Sequence, residues 1–376
     1  MHVLHVSEVT WGGVVSLLRS FVTEQTDRGH DVAVLAPAAL PDLGTAAVRR
    51  IGWGMWRRRP LSYVRAVAEL RAAVRAEQPD VIHLHSAFAG LLGRLPVLSG
   101  TGSVPVVYQP HAWSFDLFDR ATLGYALRVW ERGASRRTDV IVANCTDEID
   151  EGRRLGITTP ARALGVPLDV AHFHPVDEVE RQQRRVELGI EHDHVLLCLG
   201  RLAKQKGQDL LVAAWEQAPP PDTELLLVGP GDPAALRALA PTQWGRSIRW
   251  VGEQPDVRPY LWACDLLVLP SRYETVAVVV AEAMACERPV VACAVNGVAM
   301  AVNDPPHEPG GTVVAAGDVA GLLAESGRLL QDPERRAELG ADGRRRVIEL
   351  FTPAQVVDRL DAAYAAAIQA RRRSPR

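Results

Sequence analysis

Residues 195–215 read VLLCLGRLAKQKGQDLLVAAW. Five apolar residues run unbroken into Gly200, a basic loop follows, and beyond Gln208 the residues Leu211, Val212 and Trp215 fall at helical spacing. A strand that is apolar at successive positions is buried on both faces, as in a parallel sheet covered by helices. The same strand–loop–helix unit recurs along the chain. HVLHVS, VAVLAP, VIHLH, VVYQ and VIVAN read as strands of a first half, and ELLLVG, IRWVG, LLVLP, VVACA and GTVVAA join VLLCLG in a second. Residues 13–29, 61–77 and 319–330 have helical length and spacing.

The alternation breaks around residues 165–177, where LGVPLDVAHFHP is rich in Pro, Gly and His. The expected fold is therefore α/β, with two doubly wound Rossmann-like domains facing across a cleft. Residues 1–170 form the first domain and 171–352 the second. Residues 353–376 form a C-terminal helix that packs back on the first domain and a frayed RRRSPR tail. At 376 residues the chain is long enough for two such domains.

Composition narrows the functional classes. The chain is 47% apolar and 23% charged, as soluble globular proteins are. A net charge of −3 argues against nucleic acid as a partner. No apolar run reaches the roughly 18 residues needed to span a membrane. The chain opens directly on a strand without a basic leader, and its five cysteines contain no C-x-x-C pair, so free thiols in the cytoplasm are expected.

In open α/β sheets ligands bind beyond the carboxyl ends of the strands. After VLLCLG come Arg201 and then Lys206, immediately before Gly207 and the next helix. Of 42 basic residues only Lys204 and Lys206 are lysine. A guanidinium and a compact ammonium at a helix start make a site for a diphosphate; a solvated basic loop is the plainer reading. After HVLHVS, Gly12 and Gly13 stand where strand gives way to helix. There they either let backbone N–H groups approach an anion or simply permit a tight turn. After LLVLP, Glu274 and Glu282 bracket seven small or apolar residues. A carboxylate placed there can grip a vicinal diol; a structural ion pair and a helix-start charge are the alternatives. The helix is expected to begin near Val276.

Taken together, E-x7-E after a P-S strand end, G-R-L-x-x-x-K-G about 70 residues earlier and an N-terminal Gly-Gly loop resemble the glycosyltransferase 4 family, retaining enzymes of the GT-B fold. The resemblance covers essentially the whole chain, including RGHDVAVL at 28–35 and DVIHLH at 80–85. It implies that Arg201 and Lys206 bind the donor diphosphate and stabilise its charge as the sugar leaves. Glu282 would hold the ribose hydroxyls, Glu274 would contact the transferred sugar or the adjacent phosphate, and Gly13 would offer its N–H to the phosphate. His111, in VVYQPHAWSF, looks like the family's active-site histidine; a packed or capping histidine is the alternative. His83 and His85 are expected as walls of the cleft. Thr275, Val276 and Ala277 would bind the donor sugar through backbone amides, but they depart from the Gly-Phe-Gly common there; the chain also departs at Leu164, where Asn is common, and at Met300, where Glu is common.

The implied activity is transfer of a sugar from a nucleoside diphosphate sugar, a UDP-sugar in first place, to an acceptor hydroxyl in glycan or secondary-metabolite biosynthesis. Retention at the anomeric carbon follows from the resemblance. No D-x-D pair stands in a suitable loop and the histidines lack metal-ligand spacing, so neither a metal nor another cofactor is expected. A nucleotide-sugar epimerase of the same fold and a non-catalytic nucleotide-sugar-binding protein are the alternatives. Trp53, Trp56, Arg57, Arg58 and Arg59 suggest peripheral contact with an anionic membrane at its inner face, against the alternative of a solvated helix beside a packed tryptophan loop.

Overall fold

The computed structural model describes residues 1–55, 62–116, 121–274 and 277–373. It divides into two compact units, Met1–Pro167 with Pro353–Arg376, and Leu168–Thr352. The first holds β1 (His2–Ser7), β2 (Asp31–Ala36), β3 (Arg49–Gly52), β4 (Val81–His85), β5 (Val106–Gln109), β6 (Val140–Ala143) and β7 (Ala161–Ala163). These form one sheet in the order β3-β2-β1-β4-β5-β6-β7, and every pairing is parallel. The order reverses between β1 and β4, where such a sheet opens a crevice at its carboxyl edge. The two outermost strands, RRIG and ARA, carry little apolar signal because each lies at an edge.

Both faces of this sheet are covered. Leu4, Val6, Ile82, Leu84 and Tyr108 pack with Ala66, Leu70 and Val74 of the helix Ser62–Glu77. On the opposite face Val3, Val81, Val107 and Val140 meet Phe21 of the helix Gly13–Asp27 and Leu360, Tyr364 and Ala367 of the helix Pro353–Arg373. That last helix continues through Arg371, the first residue of the expected tail. The Arg371 guanidinium donates to Asp139 Oδ2 at 2.7 Å and to the Gly102 carbonyl at 3.1 Å, which ties it to the first unit.

Trp53 itself follows the packed-loop alternative and not the membrane one. It is 3% exposed, lies in the core with Met55 and Ala66, and its indole N–H donates to the Ala66 carbonyl at 2.9 Å. A ring spent in this way has nothing to offer a lipid surface. Trp56, Arg57, Arg58 and Arg59 lie outside the described residues. Among the described residues no helix is long and apolar enough to cross a membrane.

The second unit holds β8 (His194–Leu199), β9 (Thr223–Val228), β10 (Ile248–Gly252), β11 (Leu266–Leu269), β12 (Val290–Cys293) and β13 (Gly311–Val314). Their order is β10-β9-β8-β11-β12-β13, again all parallel, with the reversal between β8 and β11. The helix that carries Glu282 spans Val278–Ala285, starting two residues later than its apolar run suggests. All five cysteines are buried and free.

At the carboxyl ends of β8 and β11 the backbone segments approach too closely for a side chain. A Cβ on Gly207, which sits at φ +69°, would lie 2.0 Å from the Pro270 carbonyl oxygen. Gly245 has a similar φ of +79° but open space around it. Gly245→Ala should therefore cost only about 1 kcal/mol of backbone strain. Gly207→Ala must also push the β8 and β11 loops away from each other and should cost roughly 2–4 kcal/mol. Chemical denaturation of the two variants checks this; equal losses would mean that the close approach at Gly207 carries no energetic weight.

Candidate active site

The loop after β8 and the loop after β11 are fastened to one another. Lys206 Nζ donates to Glu274 Oε1 at 2.8 Å, and Ser271 Oγ donates to the same oxygen at 2.6 Å. Arg272 pairs with Asp209 through two hydrogen bonds of 2.6 and 2.8 Å. The Arg272 backbone N–H reaches the Gln205 carbonyl at 2.8 Å, and its guanidinium reaches the Lys204 carbonyl at 2.7 Å. Gly207 is the N-cap of the helix Gln208–Gln217 and offers it no side-chain cap. The result is an ammonium held beside an uncapped helix N-terminus, where the dipole and the charge both favour an anion.

Of the residues singled out from sequence, Lys206 and Glu274 are brought into direct contact. Glu274 is buried, with the ammonium and the Ser271 hydroxyl as its partners. A lysine ammonium has three donors, and this pair uses one of them. Arg201 is exposed on the same loop. Ala277 is buried at the N-cap of the helix Val278–Ala285, while Thr275 and Val276 lie outside the described residues. The Glu282 carboxyl makes no hydrogen bond or ion pair with a described residue, and burial pushes it up to about 7. An acid held this way ionises more readily once hydroxyl donors approach it.

In the first unit Gly12 has φ +78° and ψ −163°, a region open to glycine alone, and it caps the helix Gly13–Asp27 without a side chain. A Cβ on Gly12 or Gly13 would meet nothing within 4 Å, so the space beside this helix start is open. His111 follows β5 at φ +55°, and Ala112 follows at φ +94°. Two successive non-glycine residues in this region are strained, and Glu148 holds them in place. Its carboxylate accepts from Ala112 N at 2.8 Å and from Asn144 N at 2.9 Å.

Behind His111 lies a group of imidazoles that the sequence shows only as an alternation. Parallel pairing sets His5 opposite His83 on one face of the sheet, with His85 two residues further on. His5 Nδ1 lies 2.9 Å from His85 Nε2, and His85 Nδ1 lies 3.0 Å from His111 Nε2. His83 Nδ1 is 2.8 Å from the Tyr364 hydroxyl. Burial lowers His5 to about 4 and His111 to about 3, and drives His83 and His85 well below the usual range. His83 and His85 are thus interior groups of the first unit, which corrects their placement on a cleft wall. Spacing along the chain is also no guide to how close these rings come, since ligand nitrogens of His5, His83 and His85 fall within 4.8 Å of one another. In the 2.9 Å contact between His5 and His85 one nitrogen carries the proton and the other supplies the lone pair.

Comparison with known proteins gives the family. A family model described as Glycosyl transferases group 1 matches residues 193–332, and one described as Glycosyltransferase Family 4 matches residues 11–172. A D-inositol 3-phosphate glycosyltransferase of Catenulispora acidiphila is 34% identical over 79% of this chain and 74% of its own. The chain belongs to the glycosyltransferase 4 family. A second relative, a GDP-mannose-dependent monoacylated alpha-(1-6)-phosphatidylinositol monomannoside mannosyltransferase of Corynebacterium glutamicum, is 28% identical over 89% of this chain and 90% of its own. A sucrose-phosphate synthase from Thermosynechococcus elongatus shares the GT-B fold with a TM-score of 0.77, at 23% identity over 98% of this chain and 99% of that one.

The buried histidines of this glycosyltransferase have a thermodynamic signature. In the unfolded chain they titrate near 6.5, above their folded values, so their contribution is complete above that pH and is lost as pH falls toward about 4. His5 alone accounts for about 3 kcal/mol. Glu282 acts in the opposite sense, losing its contribution as pH rises from 4.5 through about 7. Four imidazoles outweigh one carboxyl. Denaturant unfolding from about pH 7 to about pH 4.5 should therefore show stability falling by several kcal/mol; a flat profile would contradict the buried, neutral state of these rings.

Proposed function

We propose that this chain moves a sugar from a nucleoside diphosphate sugar to an acceptor hydroxyl with retention at the anomeric carbon and without a metal. A UDP-sugar is the first donor to test, and GDP-mannose, named for the Corynebacterium glutamicum relative, is the second. The observation that carries this reading is the Lys206–Glu274–Ser271 cluster at the β8/β11 switch point, beside an uncapped helix N-terminus. Lys206 and Arg201 face the diphosphate, and the Glu282 carboxyl receives the ribose diol. The sugar C1–oxygen bond to the diphosphate breaks on the face where the acceptor oxygen attacks. The acceptor proton passes to the leaving phosphate oxygen. Lys206 and Arg201 stabilise the charge that develops there, and His111 contacts the sugar. Both relatives above are named for inositol-bearing molecules, so inositol phosphates are the acceptors to try first.

Thermal shifts with UDP, GDP, dTDP and ADP, each in EDTA, test the donor site. A ligand at a hundred times its dissociation constant adds about 2.7 kcal/mol to stability. One nucleotide should shift the melting temperature clearly, and no shift with any of them would refute the donor site. Lys206→Ala should lower turnover by roughly 10²–10³ while the protein stays folded; unchanged turnover would remove Lys206 from the diphosphate. Epimerised donor formed without acceptor would replace transfer with isomerisation.

Glu282 adds a pH dependence. Its carboxyl sits at about 7 in the free protein and must be ionised to accept from two ribose hydroxyls. Nucleotide affinity should then rise as pH increases from about 6 to about 8, and Glu282→Gln should flatten the profile. Calorimetric titration at the two pH values decides this; a wild-type affinity independent of pH would separate Glu282 from the ribose.

A further inference from the structure

His111 is the end of a hydrogen-bonded chain that begins on two helices. Gln25, on the helix Gly13–Asp27, places its Oε1 2.9 Å from His5 Nε2 and its amide nitrogen 3.4 Å from the Tyr364 hydroxyl. His5 leads to His85, and His85 leads to His111. Each imidazole of this chain uses both ring nitrogens except at the far end, where His111 Nδ1 is buried without a hydrogen bond of good geometry. Asn144, the polar side chain beside His111, accepts from Gln109 through Oδ1 at 2.9 Å, and that oxygen keeps a second lone pair that closes no hydrogen bond of good geometry with His111 Nδ1.

Neutral imidazole has one N–H and one lone pair, so each link in such a chain dictates the next. Gln25 Oε1 can only accept, and His5 must carry its proton on Nε2. His5 Nδ1 is then a lone pair, and His85 must also carry its proton on Nε2. The same step repeats at His111, whose Nε2–H donates to His85 Nδ1. The direction is supported from the opposite side. Gln25 donates its amide N–H to Tyr364, whose hydroxyl then donates to His83 Nδ1 and leaves the His83 proton on Nε2. Gln109, which spends its amide N–H on Asn144, turns its own Oε1 to acceptance. His83 Nε2 and Gln109 Oε1 are matched as donor and acceptor, although they close no hydrogen bond of good geometry. Two amides on different elements thus run the same way around one circuit.

We propose that Gln25, held by Tyr364, is a positioning residue that sets His5, His85 and His111 in the Nε2–H tautomer and so keeps Nδ1 of His111 as an acceptor. Its bearing on transfer rests on the reading that His111 contacts the donor sugar. The tautomer itself does not. A ring with Nδ1 protonated would present a donor in place of an acceptor at that atom, and would leave two lone pairs opposed at His85. The two helices that supply Gln25 and Tyr364 therefore act on chemistry they do not touch.

Full-length protein labelled with ¹⁵N-histidine reports each tautomer through two-bond ¹H–¹⁵N correlations, with resonances assigned by single substitutions. At neutral pH the wild type should show the Nε2–H pattern at His5, His85 and His111. Gln25→Glu keeps an acceptor toward His5 and should preserve that pattern, whereas Gln25→Met removes the acceptor and should give mixed tautomers at His111. An Nδ1–H pattern at His111 in the wild type overturns the proposal, as does an unchanged pattern in Gln25→Met. If Gln25→Met fails to fold, the wild type and Gln25→Glu decide, and loss of the pattern in Gln25→Glu overturns it. In activity, Gln25→Met should lower kcat by about tenfold or more at unchanged KM for the donor, with Gln25→Glu near wild type. Mixed tautomers with unchanged kcat would overturn the positioning role. A wild type that turns over no nucleotide sugar would instead overturn the transferase reading and leave the tautomer result standing.

Discussion

A parallel sheet covered on both faces leaves a polar side chain on its strands two choices. It finds partners inside the unit, or it lies beyond the strand ends where the sheet opens. His5, His83 and His85 take the first course in the first unit. They avoid the cost of buried charge by staying neutral and spending most of their ring nitrogens on one another, on Tyr364 and on Gln25. Glu8 serves the backbone nearby, accepting from Phe88 N and Ala89 N at the start of the helix Ser86–Gly93. The same constraint governs the second unit, where the charged groups gather after β8 and β11.

There the balance of forces is different. Lys206 and Glu274 are partly desolvated, and a pair of this kind stabilises little once desolvation is counted. Its significance is geometric. Together with Arg272–Asp209 and the close approach of Gly207 to Pro270, it holds loops that belong to different strands in one arrangement. A site meant to receive a diphosphate gains from charge that is already oriented, because no reorganisation is needed when the ligand's charge develops. The Glu282 carboxyl, by contrast, is desolvated with no partner among the described residues, and its raised value is the expected consequence.

The strands in VLLCLG, LLVLP, VIHLH and their counterparts were legible because unbroken apolar runs have only one home in an α/β protein. The rarity of lysine pointed to the loop at Lys204 and Lys206, where a compact charge differs from the arginine used elsewhere. Trp53 left two readings open because a tryptophan near arginines looks the same whether the ring is buried or offered to a membrane. Its hydrogen bond to the Ala66 carbonyl depends on a helix residue thirteen positions away. β3 and β7 escaped notice because edge strands need little apolar content.

From its residues alone this chain determined two doubly wound units, the strand ends where charged groups cluster and its likeness to a glycosyltransferase family, since periodicity and short motifs are local properties. Tertiary structure alone decided that Lys206 meets Glu274 across 68 positions of sequence and that Tyr364 meets His83 across 281. It also decided that four histidines, from two strands and a loop, form one group, with His5, His83 and His85 fully buried. Those contacts arise from strand order and from the helix that returns to the first sheet, and no local pattern encodes which strands become neighbours.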